Sequence, residues 1–407
     1  MIPEQHLQLL KILSRELFCT SAETEQLLDL SAILLEAEQQ AVFSLTFHAL
    51  ENNLRSGLSE EEFRLLSEKN SQYIARGLQN FYLHGEIHDL LKENHVPYIM
   101  LKGLCSAAYY PEPLLRTMGD VDFLVSLEDR DRAEKLLLSS GFQKTPHADE
   151  HGFHWTYLRD QQEVELHWRV PGIPVSGGEI IEKFLADAIQ TGKINQVCGI
   201  EICGADELRH GLVLLLHTAS HLTAGGVGLR HLLDWLVFEN GMTERAFIDI
   251  FEKPLKETGL WTFAAALTRI GTLFLGCRDR DWCREIELEL AEELLEDFFD
   301  GGNFGTKNLT RQGQTKIIRN NVSRSIEEGS VLRLSLVNID QRARHDYPVC
   351  TDHAVLRPVF WIIIAAKYLV RVIQGKRVNI FRKDIYSGAK KRMRLYGKLQ
   401  LFKPEQT

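Results

Sequence analysis

Residues 119–125 read Gly-Asp-Val-Asp-Phe-Leu-Val and place two aspartates, Asp120 and Asp122, inside an apolar run rich in valine. This composition favours a β-strand, in which residues two apart point to the same face of the sheet. The two carboxylates therefore project together, while the apolar residues between and after them pack on the opposite face. Because neighbouring carboxylates repel each other and lose hydration when a fold brings them together, they need a cationic partner. A divalent metal ion is the obvious candidate.

A third carboxylate lies further along the chain, in a predicted β-hairpin. Two strand-like runs, residues 153–158 and 162–168, flank a turn-forming Arg-Asp-Gln segment. Since alternate residues of a strand face the same way, Glu163, Glu165 and His167 lie on one face of the second strand. A neighbouring strand would bring Glu165 beside the aspartate pair, and Glu163 takes its place if the register of the strands differs.

Three carboxylates at one edge of a sheet suit a hard cation. Mg²⁺ prefers carboxylate and phosphate oxygens, and it is usually held by few protein ligands together with substrate phosphates. Two such ions can clamp the attacking and leaving oxygens during in-line attack on a phosphate. The alternative is a structural ion-pair network at a sheet edge, which also perturbs carboxylates. We favour metal binding by Asp120, Asp122 and Glu165.

Further motifs surround these acids. They are Leu101-Lys102-Gly103, Tyr-Pro-Glu-Pro at 110–113, Arg116, Gly-Asp-Val-Asp at 119–122, Glu-Leu-His-Trp at 165–168, His217, His221, Leu229-Arg230, Asp234 and Gly-Asn-Phe-Gly at 302–305. With these motifs the sequence resembles the nucleotidyltransferase superfamily that includes DNA polymerase β, and within it the bacterial family described as uncharacterised nucleotidyltransferases. It departs from the superfamily in two places: the usual Gly-Ser pair is absent after Lys102, and the third acid is Glu rather than Asp.

The resemblance implies an α+β fold, in which a small mixed β-sheet forms the nucleotidyltransferase core between helical regions. It also implies a transferase that moves an NMP from an NTP such as ATP to an acceptor hydroxyl, with two Mg²⁺ ions, and releases pyrophosphate. The implied site residues are Asp120, Asp122 and Glu165 for catalysis and metal binding, Lys102, Gly103, Ser106 and Arg116 for nucleotide binding, and His167, His217 and His221 for substrate contact.

The residues around the acids each allow more than one role. Lys102 contacts a triphosphate or is a surface lysine, and Gly103 lacks a Cβ and so permits close approach of a phosphate. Arg116 binds phosphate bidentately or neutralises the carboxylates. His167 polarises Glu165, contacts substrate, or is a half-buried packing residue.

Two pairs of residues at helical spacing follow in the chain. His217 and His221 lie four apart on one helical face, but Thr218 occupies the position of the general-base glutamate in the zinc-protease motif. We therefore expect them to contact nucleotide or brace the catalytic domain, with core packing as the alternative. Arg230 and Asp234 are predicted to form an i,i+4 ion pair on the next helix.

The apolar periodicity divides the chain into four parts. Residues before 96 show apolar side chains at three- and four-residue spacing and almost no Gly or Pro, which is typical of a helical bundle. The predicted ranges are 1–95 for an N-terminal helical region, 96–205 for the catalytic core, 206–300 for a helical domain, and 301–407 for a C-terminal region with a helix and a basic tail.

Composition and charge bound the environment of the protein. Seven scattered cysteines do not form a disulfide framework, and no N-terminal signal pattern is present, so we expect a cytoplasmic protein. The apolar stretch 359–366 is too short to span a bilayer; we expect a buried helix, with a helix on an anionic membrane surface as the alternative. Residues 367–407 hold twelve Lys/Arg and two Asp/Glu, which indicates either polyanion binding or docking on an acidic body.

Two other functions remain open at this point. One is a toxin-like or regulatory nucleotidyltransferase that acts on tRNA or protein through the basic C-terminus, although no RNA- or DNA-binding motif supports nucleic acid as a partner. The other is a catalytically inactive nucleotide-binding module. No pattern in the sequence indicates the acceptor, the preferred NTP or the oligomeric state.

Overall fold

The computed structural model describes most of the chain. The described ranges are 2–19, 29–145, 152–174, 177–308, 354–373 and 383–404, with single residues and runs of two or three between 310 and 349. The predicted C-terminal region and its basic tail fall partly outside these ranges. The four predicted domain ranges stay predictions.

Seven β-strands in the described part of the chain form one mixed sheet. They are β1 (Tyr98–Met100), β2 (Val121–Val125), β3 (Gln143–Lys144), β4 (His154–Arg159), β5 (Gln162–His167), β6 (Lys193–Val197) and β7 (Ile200–Gly204). Their spatial order is β3-β4-β5-β2-β1-β7-β6. The strand that follows Asp120, β2, therefore lies in the middle of the sheet, antiparallel to β1 and parallel to β5.

Helices precede the sheet in the sequence, connect some of its strands and follow it. They are α1 (Glu4–Phe18), α2 (Leu30–Gln39), α3 (Phe43–Gly57), α4 (Glu60–Glu93), α5 (Leu104–Ala107), α6 (Arg130–Ser139), α7 (Glu179–Leu185), α8 (Glu207–Ala224), α9 (Leu229–Asn240), α10 (Glu244–Thr258), α11 (Trp261–Phe274), α12 (Leu288–Gly301), α13 (Arg357–Ile373) and α14 (Lys383–Lys398). The predicted α+β class, with a mixed sheet between helical regions, is confirmed.

The predicted hairpin is formed by β4 and β5. Its turn residues Asp160 and Gln161 have φ values of 50° and 66°, as a type I′ turn requires. The second strand of the hairpin also pairs with β2 in parallel, and in that register Asp122 lies opposite Glu165. Glu165 and His167 therefore face the same side of the sheet as the aspartates.

The two faces of the sheet pack against different helices. Val121, Phe123 and Val125 are buried with apolar residues of α4, α5 and α6, as the alternation of the sequence predicts. The opposite face contributes Ile99 and Leu124 to a larger core that is shared by α1–α3 and α8–α12. Asp120 and Asp122 alternate along the chain with the three apolar residues of the first face. The two acids therefore face the helical body that contains α8 and α9.

The basic helix α14 docks on the acidic helix α12. Lys398 Nζ lies 2.8 Å from Glu293 Oε1, and Arg392 Nε lies 3.8 Å from Asp297 Oδ1. Arg392 is buried and also donates to the carbonyl oxygen of Leu222 at 2.9 Å. These contacts support the second interpretation of the charge asymmetry, in which a basic end docks on an acidic surface of the same chain.

The apolar stretch 359–366 lies in α13. Val359 and Ile362 are exposed, so the expectation of a buried helix is wrong for this face. None of the described helices combines the length and hydropathy that a membrane crossing requires.

Candidate active site

Three carboxylates meet on the sheet face that is turned towards α8 and α9. Asp120 lies just before β2, Asp122 lies on β2, and Glu165 lies on β5. One oxygen from each of the three carboxylates lies within 4.8 Å of the others. They line a cavity of about 330 Å³ that also receives side chains from α8, α9 and the loop at residues 303–305. This volume is at the lower end of the range of small-molecule sites.

Asp122 is the most strongly compensated of the three acids. It is buried; Lys102 Nζ lies 3.0 Å from its Oδ2, and His167 Nε2 lies 3.0 Å from its Oδ1. Burial alone would raise the pKa of Asp122, but Lys102 and His167 outweigh that effect and hold the pKa well below its usual range. Asp122 is therefore ionised at neutral pH.

The repulsion between Asp120 and Asp122 is only partly offset by a neighbouring cation. The charge of Asp122, and then burial, raise the pKa of the Asp120 carboxyl, and Lys102 offsets only part of this shift. An acid in this situation gains from a further cation, because the cation removes the repulsion. The donor set consists of carboxylate oxygens, as Mg²⁺ prefers. The residues present thus fit a hard divalent cation.

His167 holds two of the acids in place. Its Nε2 lies 3.0 Å from Asp122 Oδ1 and 3.1 Å from Glu165 Oε2. Burial by itself lowers the pKa of His167, but the hydrogen bonds to Asp122 and Glu165 outweigh it and raise the pKa to about 9. His167 is buried and bonded to two carboxylates, so the alternative of a half-buried packing residue does not describe it.

Lys102 connects the acids to a group of histidines. The side chain is buried, so the alternative of a surface lysine is wrong. Its Nζ donates to His217 Nε2 at 2.8 Å. His221 Nε2 lies 2.9 Å from that nitrogen of His217. His231, on α9, stacks on His217 with ring centroids 5.2 Å apart.

The model of a family described as uncharacterised nucleotidyltransferases matches residues 27–276, more than half of the chain. The chain belongs to this nucleotidyltransferase family. The match includes the three acids, Lys102 and the histidines of α8 and α9, whereas the loop at 303–305 lies beyond it. No curated protein matches the sequence.

Arg116 pairs with Asp234 on α9 rather than with the carboxylates Asp120 and Asp122, and its contact with a phosphate stays a prediction. Its Nε and Nη2 donate to the two carboxylate oxygens of Asp234, each at 2.7 Å, and Tyr110 donates to Asp234 Oδ1 at 2.9 Å. The predicted Arg230–Asp234 pair is wrong, since Arg230 Nη1 donates instead to the carbonyl oxygen of Thr117 at 3.1 Å. Arg116 still lines the cavity, but its charge is neutralised by a buried partner on α9.

The structure gives Gly103 a packing role in addition to the phosphate contact that the sequence predicts. Gly103 has a φ of +60°, and a Cβ added there would lie 2.3 Å from His84 Nε2. That nitrogen accepts a hydrogen bond from the backbone N–H of Leu104 at 3.3 Å. Close packing on His84 therefore requires glycine here. Gly103 also lines the cavity, and its contact with a phosphate stays a prediction. Ser106 is buried on α5 and is not among the described residues that line the cavity.

We expect Gly103→Ala to destabilise the folded chain by about 2–5 kcal/mol, which combines a strained positive φ with overpacking on His84. The matched control is Gly119→Ala, because Gly119 also lines the cavity but an added Cβ meets no heavy atom of the described residues within 4 Å. Urea unfolding of both variants measures the difference. Equal unfolding midpoints would contradict the packing role of Gly103.

Two histidines of the site were not predicted from the sequence. His154 lies opposite His167 in the hairpin, with its Nε2 3.6 Å from Glu165 Oε1. The predicted three-residue turn at 159–161 pairs His154 with Leu166 instead, so the observed two-residue turn is what brings His154 to the face of Glu165. His231 directly follows the quoted Leu229-Arg230 motif, but its position beside His217 depends on how α9 packs on α8. No local pattern indicates that packing.

Proposed function

We propose that this protein is a Mg²⁺-dependent nucleotidyltransferase that moves an NMP from an NTP to an acceptor hydroxyl and releases pyrophosphate. The observation that carries the proposal is the alignment of Asp122 opposite Glu165 across two parallel strands, with Asp120 beside them. The membership of the chain in a nucleotidyltransferase family supports the reaction class.

In this proposal Asp120, Asp122 and Glu165 hold the divalent ions. Once bound, the ions would polarise the phosphate oxygens and offset the charge of the leaving pyrophosphate. The imidazolium of His167 keeps Asp122 and Glu165 at a fixed separation, because one ring nitrogen bonds both carboxylates. The carboxylates are thus pre-positioned for ligation before substrate arrives.

The remaining residues bind the nucleotide and handle the proton. Lys102 lies at the cavity wall and would meet the phosphates with its ammonium group, which already faces Asp122. A bond forms between the acceptor oxygen and the α-phosphorus, while the bond from that phosphorus to the pyrophosphate oxygen breaks. Glu165 is only half-buried and accepts the hydroxyl proton of the acceptor.

No contact among the described residues indicates the chemical class of the acceptor. A polyanionic acceptor held by the basic C-terminus loses support, because Lys398 and Arg392 of α14 pair with acidic residues of α12. The contacts of the cavity favour neither a small-molecule hydroxyl, a protein hydroxyl nor a tRNA end. The proposal therefore covers the transfer and leaves the acceptor general.

Removal of the divalent ion provides the first test. We expect calorimetry to detect binding of at least one NTP in Mg²⁺, and EDTA to abolish it, because the triphosphate charge would otherwise face three carboxylates. Turnover is then followed as pyrophosphate release with hydroxyl acceptors that include tRNA and the protein itself. Binding of NTP that is unchanged by EDTA would contradict the metal site. Binding without Mg²⁺-dependent turnover on any acceptor would identify an inactive nucleotide-binding module.

A further inference from the structure

Three histidines form a second cluster in the cavity, apart from the carboxylates. His217 and His221 lie one turn apart on α8, and His231 reaches the same point from α9. One ring nitrogen from each lies within 4.8 Å of the other two, and all three side chains line the cavity. The proposed transfer needs none of these imidazoles.

His231 is a buried histidine whose two ring nitrogens are available to a ligand. The residue is 3% exposed, and neither ring nitrogen has a hydrogen-bond partner among the residues that the structure describes. A buried polar group without a partner costs about 1–3 kcal/mol, so folds seldom keep one without a reason. Its ring stacks at 5.2 Å on His217 and lies 5.3 Å from the ring of His221.

The three imidazoles are in the protonation state that binds metals. Burial, and then the charge of Lys102, lower the pKa of His217 and of His221, the latter to about 3. Burial, and then Arg230, lower the pKa of His231. All three rings are neutral at pH 7, and neutral imidazole is the ligand form.

The chemistry of the cluster differs from that of the carboxylates. Oxygen donors select Mg²⁺, whereas imidazole nitrogens select zinc and the neighbouring transition metals. In a tetrahedral zinc site with Zn–N bonds of about 2.0–2.1 Å, the ligand nitrogens lie about 3.4 Å apart. His217 and His221 have their Nε2 atoms 2.9 Å apart, and His231 has a ring nitrogen within 4.8 Å of both, so side-chain rotations bring the three nitrogens to this spacing.

We propose that His217, His221 and His231 bind one transition metal ion of the Zn²⁺ class, with the fourth coordination position open to the cavity. Three protein ligands and one open position are the pattern of a catalytic or substrate-binding zinc rather than of a closed structural site. The ion displaces the hydrogen bond from Lys102 to His217, and Lys102 keeps its contact with Asp122. This site goes beyond the proposed transfer and does not depend on it.

Cobalt tests the site, since Co²⁺ replaces Zn²⁺ and gives visible absorption that reports nitrogen ligation. The full chain is titrated with Co²⁺ in excess Mg²⁺, which keeps the carboxylates supplied with their preferred ion. We expect one equivalent to bind, with the affinity reduced about tenfold or more in His221→Gln and in His231→Gln. Binding of Zn²⁺ is expected to displace the cobalt and bleach the absorption.

The control is His210→Gln. His210 is also buried on α8, and its Nε2 has no hydrogen-bond partner among the described residues, but it is not one of those that line the cavity. We expect its cobalt binding to equal that of the parent chain.

His221 is half-buried, so His221→Gln keeps the test decisive if His231→Gln does not fold. Cobalt binding that survives both substitutions, or that Asp120→Asn abolishes, would overturn the site. A failure of NTP binding would leave this result unaffected.

Discussion

Asp120→Asn is expected to stabilise the metal-free chain and, at the same time, to abolish Mg²⁺-dependent NTP binding. The charge of Asp122 and burial raise the pKa of Asp120, which means that its ionised form is disfavoured in the fold. A neutral amide of the same shape removes this repulsion, a gain on the order of 1–2 kcal/mol at the effective dielectric of a protein. The same change removes one of the proposed metal ligands.

Two measurements on the same sample separate the effects. Thermal unfolding without metal is expected to give a higher Tm for Asp120→Asn than for the parent chain, and calorimetry with Mg²⁺ and NTP is expected to give no heat of binding. The control is Glu163→Gln on β5, since Glu163 is exposed and lies outside the described cavity lining. We expect the control to match the parent chain in NTP binding.

The outcome also decides between a metal site and a structural ion-pair network. In a network, every acid stabilises the fold, so Asp120→Asn would lower the Tm. Retained NTP binding with a lowered Tm would therefore refute the metal site. Asp122→Asn is a poorer probe, because it would leave the buried Lys102 and His167 without their carboxylate and disturb folding directly.

The acidic site follows from local sequence patterns to a large extent. Alternation of polar and apolar residues places Asp120 and Asp122 on one face, and the turn-forming segment 159–161 predicts the hairpin that presents Glu165. These features depend on residues close in sequence, where strand periodicity and turn chemistry act. The choice between Glu163 and Glu165 needed the register between β2 and β5, which is a tertiary property.

The partners of the cationic residues could not be predicted in this way. Arg116 and Asp234 meet across 118 positions of the sequence, and His84 fills the space beside Gly103 from a distant part of α4. An i,i+4 pair such as Arg230–Asp234 is worth only about 0.2–0.5 kcal/mol on an exposed helix. A buried bidentate partner from another element outweighs that local preference.

Asp234→Ala is expected to destabilise the chain by about 3–5 kcal/mol, because it leaves the guanidinium of Arg116 buried without its carboxylate. The two side chains are 5% and 6% exposed, so water does not replace the lost partner. Urea unfolding measures the loss. Tyr110→Phe is the control: it removes one hydrogen bond to Asp234 and is expected to cost about 1 kcal/mol.

The double variant Arg116→Met/Asp234→Leu distinguishes a structural pair from a nucleotide-binding arginine. Buried ion pairs replaced by apolar residues of similar volume often lose little stability, so we expect the double variant to recover most of what Asp234→Ala loses. If Arg116 only joins the sheet to α9, the double variant also binds NTP as the parent chain does. Recovered stability with lost NTP binding would instead return Arg116 to the phosphate-binding role expected from the sequence. The Arg116–Asp234 pair links the segment before β2 to α9. A loss of both stability and NTP binding in the double variant would therefore mean that α9 positions the carboxylates of the metal site.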